Sequence, residues 1–260
     1  MQKVAIVTGG AKGIGYGSVL RLLEDGAHVT AFDRDTAALS QAEKDFAQFA
    51  TNFSAVNVDI SSDSAVSAAI KVVGDRFGYI NYLVNSAGIQ TYGTAEDTSE
   101  EIWDSTFAVN VKAMYLNAKY AIPFMRVAKG GSIVNISSVQ SLSNQKNVLA
   151  YAASKGAVNA LTRSIAIDYA ADQIRCNAVL PGCVDTPMLH ATAKKFAGEK
   201  NESELLHEWG LTHPLGRMAS IHEIGQLVGF LCSEKSSFIT GASYVIDGGL
   251  ITQVPVILPE

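Results

Sequence analysis

Apolar residues fall into two alternating patterns along this chain. Short unbroken runs, of which Val4-Ala-Ile-Val7 is the first, have the length and β-branched character of strands buried on both faces. Between them lie longer stretches whose Ala, Leu and Ile recur every three to four residues, the period of a helix with one buried face. The pattern predicts strands over 4–7, 27–32, 53–58, 80–84, 131–136, 174–180 and 242–246. Helices are expected after the first strand to about residue 25, then over 36–49, 63–77, 151–169 and 220–232, with two more sharing 99–127. Strand and helix in strict alternation predict α/β winding: a single doubly wound Rossmann-type domain over 1–260, with a mostly parallel seven-stranded sheet. Residues 188–213, polar and helical in pattern, sit between a strand and a helix where a substrate lid would lie, and 250–260 form an apolar tail.

The turns after the strands carry the candidate chemistry, because open α/β sheets bind ligands at their carboxyl edge. Thr8-Gly9-Gly10-Ala11-Lys12-Gly13-Ile14-Gly15 leaves a strand and opens a helix. Gly9 permits the tight turn, and Gly13 and Gly15 let the helix start, with Lys12 and Ile14, approach a pyrophosphate. Asp33, ending the second strand, would accept hydrogen bonds from the adenosine ribose and repel a 2′-phosphate, which favours NAD; Lys12 and Arg34 argue the other way. Asp59 and Ile60 would border the adenine, although an acid capping the next helix accounts equally for Asp59. Asn85-Ser86-Ala87-Gly88 follows the fourth strand with residues small enough for backbone to pass a cofactor. After the sixth strand, Pro181-Gly182-Cys183-Val184-Asp185-Thr186-Pro187 reads as a rigid turn that would brace a nicotinamide. Thr186 either bonds its carboxamide or caps the next helix.

The reacting centre is read at Ser138 and Tyr151-Ala-Ala-Ser-Lys155. Tyr151 and Lys155, four apart on a helix, leave the same face, and an ammonium fixed near a phenol moves its pKa down from ~10. Such a tyrosine passes a proton to or from a substrate oxygen, and Ser138 donates a hydrogen bond to the same atom. Tyr115-Leu-Asn-Ala-Lys119 has the same spacing but neither the Asn-Ile-Ser-Ser strand end upstream nor a Pro-Gly turn downstream, so it is read as an ordinary amphipathic helix. Asn110, in apolar surroundings, either braces a polar network or satisfies nearby backbone.

Composition narrows the functions. Hydrophobic residues make up 48% and charged residues 17%, with a net charge of −5 that offers no basic surface for nucleic acid. No apolar run approaches membrane-spanning length, and the first strand begins too early for a cleavable leader, so a cytoplasmic protein is expected. Cys176, Cys183 and Cys232 are an odd, scattered set that suits a reducing compartment rather than a disulfide framework. The dispersed histidines predict no metal site.

The glycine turn, Asn85-Ser-Ala-Gly88, Asn110, Ser138, Tyr151-x-x-x-Lys155 and Pro181-Gly182 occur in the order found in the classical short-chain dehydrogenases/reductases, which the chain resembles over nearly its whole length. The resemblance implies hydride transfer at a nicotinamide without metal, and a homotetramer. It casts Tyr151 as acid/base, Ser138 as orienting the substrate oxygen, and Lys155 as binding the nicotinamide ribose and lowering the Tyr151 pKa. Asn110 would hold a water in the proton relay. Ser86 stands where that family often has a second asparagine, Gly17 where alanine is frequent, and the tail after Gly249 is unusual; packing of this tail on a neighbouring subunit is expected.

The loop before Tyr151 offers Ser141, Ser143, Asn144, Gln145, Lys146 and Asn147, so the substrate pocket is expected to be polar. Gln145 and Lys146 join Ser138 and Tyr151 as candidate substrate contacts, with Lys146 or Arg217 as carboxylate partner unless these charges face solvent. The expected activity is NAD-dependent hydride transfer on a secondary alcohol or ketone of a sugar, sugar acid or polyol. The rival enzyme is a 3-oxoacyl-thioester reductase using NADPH. A non-catalytic NAD-binding regulator or scaffold is the rival of another kind, and the complete Ser138, Tyr151 and Lys155 set argues against it.

Overall fold

The computed structural model describes residues 2–253. Seven parallel strands form one sheet in the order β3-β2-β1-β4-β5-β6-β7. They are β1 (Val4–Thr8), β2 (His28–Asp33), β3 (Phe53–Asn57), β4 (Tyr82–Asn85), β5 (Gly131–Ile136), β6 (Ile174–Pro181) and β7 (Ser243–Ile246). The helices are α1 (Gly13–Glu24), α2 (Thr36–Asp45), α3 (Asp63–Phe77), α4 (Glu100–Phe107), α5 (Ala113–Val127), α6 (Leu149–Asp168), α7 (Pro187–Phe196), α8 (Glu202–Leu211) and α9 (Ile221–Cys232). The chain runs outward from β1 to β3, then returns to place β4 on the other side of β1. That reversal opens a crevice above the carboxyl ends of β1 and β4.

Both faces of the sheet are covered. Along β1, Ala5 and Val7 enter the core beneath α1 and α9, while Val4 and Ile6 enter the core beneath α3, α5 and α6. This two-sided burial is why the strand shows no polar alternation. On the first face α1 and α9 touch through glycines: a Cβ on Gly17 would lie 2.4 Å from the Ile221 carbonyl oxygen, and one on Gly225 2.5 Å from that of Gly17. Glycine at 17, where the family often has alanine, is therefore required by how closely these two helices approach.

Among the boundaries that differ from the sequence pattern, three have a clear local reason. The helix expected to reach 49 ends at Asp45, since Phe46 leaves it to bury its ring against Tyr16 (4.6 Å) and Phe53 (5.0 Å). The fourth strand starts at Tyr82 because Ile80, although buried, donates its N–H to the Phe124 carbonyl rather than to a strand. The two helices of 99–127 are joined without a break by a π-helical turn, Ala108–Lys112, that contains Asn110. Residues 254–260 of the expected tail lie outside the described residues; before them, Asp247 anchors a short turn by accepting from Gly249 N and Ile251 N, both at 2.9 Å.

Candidate active site

Two adjoining cavities occupy the carboxyl edge of the sheet, of about 290 and 700 Å³, and share Ile14, Ser86, Gly88, Thr186 and Met188. The smaller is the crevice over β1 and β4. Its floor is the glycine turn, and the close fit is visible in two glycines: a Cβ on Gly15 would fall 2.0 Å from the Gly9 carbonyl oxygen, and one on Gly9 2.8 Å from Ala87 Cα. Gly9 also has φ +64°, the left-handed region that favours glycine. Lys12 closes one rim, ion-paired to Asp35 at 2.5 Å.

Asp33 lines this cavity at the end of β2, held by two backbone donors: Ala11 N to Oδ2 at 3.3 Å and Asp35 N to Oδ1 at 3.1 Å. Arg34 lies beside it, exposed. Phe32, Val58, Ile60 and Val109 add an apolar wall of a kind that suits a flat base. Asp59 also reaches the wall, but its Oδ1 accepts from Ser61 N (2.9 Å) and Ser61 Oγ (2.7 Å), which holds its carboxyl below the usual range. Ala87 and Gly88 form the opposite side.

The larger cavity holds the reacting group. Ser138 continues from β5 in extended conformation, and its Oγ accepts from Gln140 N at 3.1 Å, leaving its own proton free. Tyr151 projects from the first turn of α6 and lines the same cavity as Ser138. Lys155, one turn along and 4% exposed, donates to the Ile136 carbonyl at 2.9 Å and lies 5.5 Å from the centre of the Tyr151 ring. The ammonium has three N–H groups, so two are free toward the cavity.

Burial dominates both groups. It pushes the Tyr151 phenol up to about 12, partly opposed by the nearby Ser138 hydroxyl, and the Lys155 ammonium down to about 8. The expected downward shift of Tyr151 is thus corrected: with Lys155 turned to Ile136, loss of water outweighs the cation.

Two residues expected at the site stand behind it. Asn85 is buried in a chain of amides, donating to Asn135 Oδ1 at 2.8 Å and accepting from Asn117 at 3.0 Å, and lines neither cavity. Asn110 likewise stands back: its Oδ1 accepts from Ile89 N and its Nδ2 donates to Ile89 O, both at 2.9 Å, and to Ser154 Oγ at 3.0 Å. Ser154 in turn donates to the Tyr151 carbonyl at 2.7 Å, so Asn110 ties the Gly88-Ile89 wall to the turn that bears Tyr151 and Lys155. Both open readings of Asn110 are therefore met at once: it braces a polar network and satisfies the neighbouring backbone.

Pro181, Gly182, Val184 and Thr186 reach the larger cavity from beyond β6. Thr186 caps α7 by accepting from Leu189 N at 3.3 Å, yet keeps its hydroxyl proton and lies against Gly13, so the cap does not exclude a ligand contact. Gln145 and Lys146 line the cavity's polar side with Ser143 and Asn144. Arg217 does not: it forms a paired contact with Glu223 at 2.8 and 2.9 Å, Glu223 being the residue that caps α9 together with Ser220, and the arginine holds the Glu223 carboxyl down at about 2. The expected polar pocket is corrected on its lid side, where Leu189, Phe196 and Trp209 meet Leu250 and Ile251. Trp209 falls in the stretch expected to form the lid and Leu250 and Ile251 in the apolar tail, whereas Leu189 and Phe196 were missed because no motif marks them on a short helix. Tyr115, the matched control, lies on α5, 48% exposed and outside both cavities.

A dinucleotide fits what these residues offer: a glycine floor without room for side chains, a carboxylate fixed at one end, and a lysine with free donors at the other. Residues 9–251 match the family profile described as Enoyl-(Acyl carrier protein) reductase. The chain is 38% identical over 254 residues to trans-4-hydroxycyclohexanecarboxylate dehydrogenase of Sinomonas cyclohexanicum, covering 95% of this chain and 92% of that protein. Ligand-free aldohexose dehydrogenase of Thermoplasma acidophilum matches with a TM-score of 0.91 at 37% identity, over 100% of this chain and 98% of that one. L-sorbose reductase of Gluconobacter frateurii, solved with NADPH and L-sorbose, matches at 0.93 with 28% identity, over 97% and 98%. With its seven-stranded parallel sheet and the Ser138, Tyr151 and Lys155 cluster, the chain belongs to the short-chain dehydrogenase/reductase family and is an NAD(P)-dependent alcohol dehydrogenase/reductase.

Proposed function

We propose that this chain uses NAD to oxidise a secondary alcohol on a small ring-shaped substrate bearing further hydroxyl or carboxylate groups, and reduces the ketone in reverse. The two-sided cavity carries this reading: Ser143, Asn144, Gln145 and Lys146 on one side, Leu189, Phe196 and Trp209 on the other. A sugar ring or a hydroxylated cyclic acid has the same division, with C–H faces for the aromatic rings and polar edges for the amides and lysine. The named relatives act on a hydroxycyclohexanecarboxylate, an aldohexose and L-sorbose; the first two support a ring of this size, and all three support a small hydroxylated substrate. The carboxylate of Asp33, fixed by two backbone donors and next to a lysine already paired with Asp35, supports NAD over NADP.

When bound, the nicotinamide supplies the acceptor or donor for hydride. The chain's own residues handle the proton. Tyr151 Oη takes it from the alcohol during oxidation and returns it during reduction, and Ser138 Oγ donates to the same substrate oxygen. Lys155 would hold the nicotinamide ribose with its remaining N–H groups, and its positive charge favours the phenolate form of Tyr151. Asn110 holds the turn that presents both groups. Membership in a tetramer fits the edge position of β7, where Val245 is 41% exposed, and the full exposure of Phe238 in the segment before it. A reducing, cytoplasmic setting fits three free cysteines.

The test follows absorbance of the reduced cofactor with sugar acids, aldohexoses and hydroxycyclohexane acids, set against 3-hydroxyacyl thioesters, with NAD and NADP in turn. Turnover of the ring substrates with NAD is expected. Turnover confined to thioesters with NADP would assign the chain to acyl-thioester reduction, and none with either set would favour a binding protein.

A further inference from the structure

A third cavity, of about 410 Å³, lies on the outer side of α7 and shares Gln90, Tyr92, Met188 and Thr192 with the substrate cavity. Two side chains separate them. Thr192 Oγ1 donates to the Met188 carbonyl at 3.0 Å, which uses its only proton, so in the 2.8 Å contact between the two hydroxyls Tyr92 donates and Thr192 accepts. The Tyr92 ring is held edge-on by Phe196 at 4.8 Å, and Lys195 Nζ lies 4.8 Å from its centre. Lys195 lines the outer cavity, is exposed, and has no carboxylate partner among the described residues.

We propose that the Tyr92–Thr192 bar sets the length of substrate this site accepts, and that the cavity behind it is a subsite for the carboxylate-bearing end of a longer one. The inference rests on reading the inner cavity as the alcohol site. Tyr92 stands on the loop after β4 and Thr192 on α7, so the bar links a fixed wall to the lid and opens by rotation of one ring. A substrate that fits the inner cavity leaves it closed. One whose chain runs on past Gln90 and Met188 displaces the ring and brings its anionic end toward Lys195, the cation on that outer wall.

Straight-chain alkanoates of rising length, with the matching 1-alkanols as uncharged controls, test this by titration of the full chain, followed by emission of Trp209, which lines the inner cavity. In the wild type, affinity levels off once the inner cavity is filled. Tyr92→Ala is expected to keep gaining about threefold to fourfold per further methylene. Adding Lys195→Glu is expected to remove that gain for alkanoates and leave it for alkanols. An unchanged length profile in Tyr92→Ala overturns the bar, and an alkanoate gain that survives Lys195→Glu overturns the anionic subsite. Thr192→Val, which removes the acceptor at nearly constant shape, is expected to shift the profile in the same direction by less, and decides the matter should Tyr92→Ala fail to fold. Assays of the same variants with NAD and secondary hydroxy acids of rising length separate the two readings. A shifted binding profile without turnover of any alcohol keeps the bar and removes the alcohol site, whereas turnover with an unshifted profile does the reverse.

Discussion

Lys155 and Tyr151 leave the same face of α6 with the ammonium 5.5 Å from the ring centre, yet the lysine's protein bond goes to Ile136 rather than to the phenol. Burial then raises the tyrosine to about 12 and lowers the lysine to about 8. The low-pKa phenol that the chemistry requires is therefore not supplied by Tyr151 and Lys155 alone. Tyr151→Phe removes the proton donor alone, so turnover should fall by roughly 10²–10⁴-fold. Calorimetric titration with NADH should give an affinity close to that of the wild type.

The same two shifts make the stability of the cofactor-free protein depend on pH with opposite signs. Between about 8 and the ordinary lysine range, unfolded Lys155 still binds a proton that the folded form has released, so stability rises with pH. At higher pH, through about 12, unfolded tyrosine gives up its proton before Tyr151 does, and stability falls again. Melting temperatures measured from neutral to alkaline pH should show the rise in the wild type and its loss in Lys155→Met. A rise of equal size in that variant would place its cause elsewhere.

Asp33→Asn keeps oxygen for the backbone donors of Ala11 and Asp35 while removing the charge. The preference for NAD over NADP, as a ratio of kcat/KM values, should fall by about tenfold or more. An unchanged ratio would move the ribose contact to another residue.

Gly17→Ala restores the family's frequent residue and should nevertheless destabilise this chain. Its Cβ would meet the Ile221 carbonyl oxygen at 2.4 Å, backbone against backbone, and α9 cannot retreat without uncovering Ile224 and Val228. A loss of about 1–3 kcal/mol is expected, visible as a Tm lowered by several degrees in calorimetry.

His190 clasps the lid, its Nε2 2.8 Å from Asp185 and its Nδ1 2.5 Å from Glu202, and these carboxylates raise its pKa. A histidine raised in the folded state contributes fully below its unfolded value near ~6.5, and the contribution is lost as pH rises through the raised value. Proteolytic cleavage between α7 and α8 should accordingly be slowest in mild acid and faster at alkaline pH, and His190→Ala should flatten that dependence.

Strand and helix identities were legible because each strand is a closed apolar run and each helix keeps its period. β5 and α3 fall where the pattern puts them, Gly131–Ile136 and Asp63–Phe77. The places where reading failed are those decided by contacts distant in sequence. Nothing near Phe46 announces that it will leave a helix for Tyr16 and Phe53. Arg217 looked available to a carboxylate until folding supplied Glu223 as part of a helix cap. Asn85 followed a strand in the right place, but the amides of Asn117 and Asn135 that claim it lie on other elements. At the site, turn-borne residues such as Gly9 and Asp33 were readable from their positions after strands, whereas Tyr92, Phe196 and Trp209 become neighbours only through the lid.

The glycine seam between α1 and α9 divides the molecule's capacity to adjust. With main chain lying on main chain, the helix that opens the dinucleotide cradle cannot slide when ligand arrives. Accommodation falls to α7 and α8, which meet the rest through a few side chains such as Tyr92 and His213. Hydrogen exchange should therefore be slow and ligand-insensitive along α1 and α9, and ligand-dependent along the lid. Within one continuous sheet, cofactor recognition would be fixed in advance, while the shape offered to substrates stays open to change.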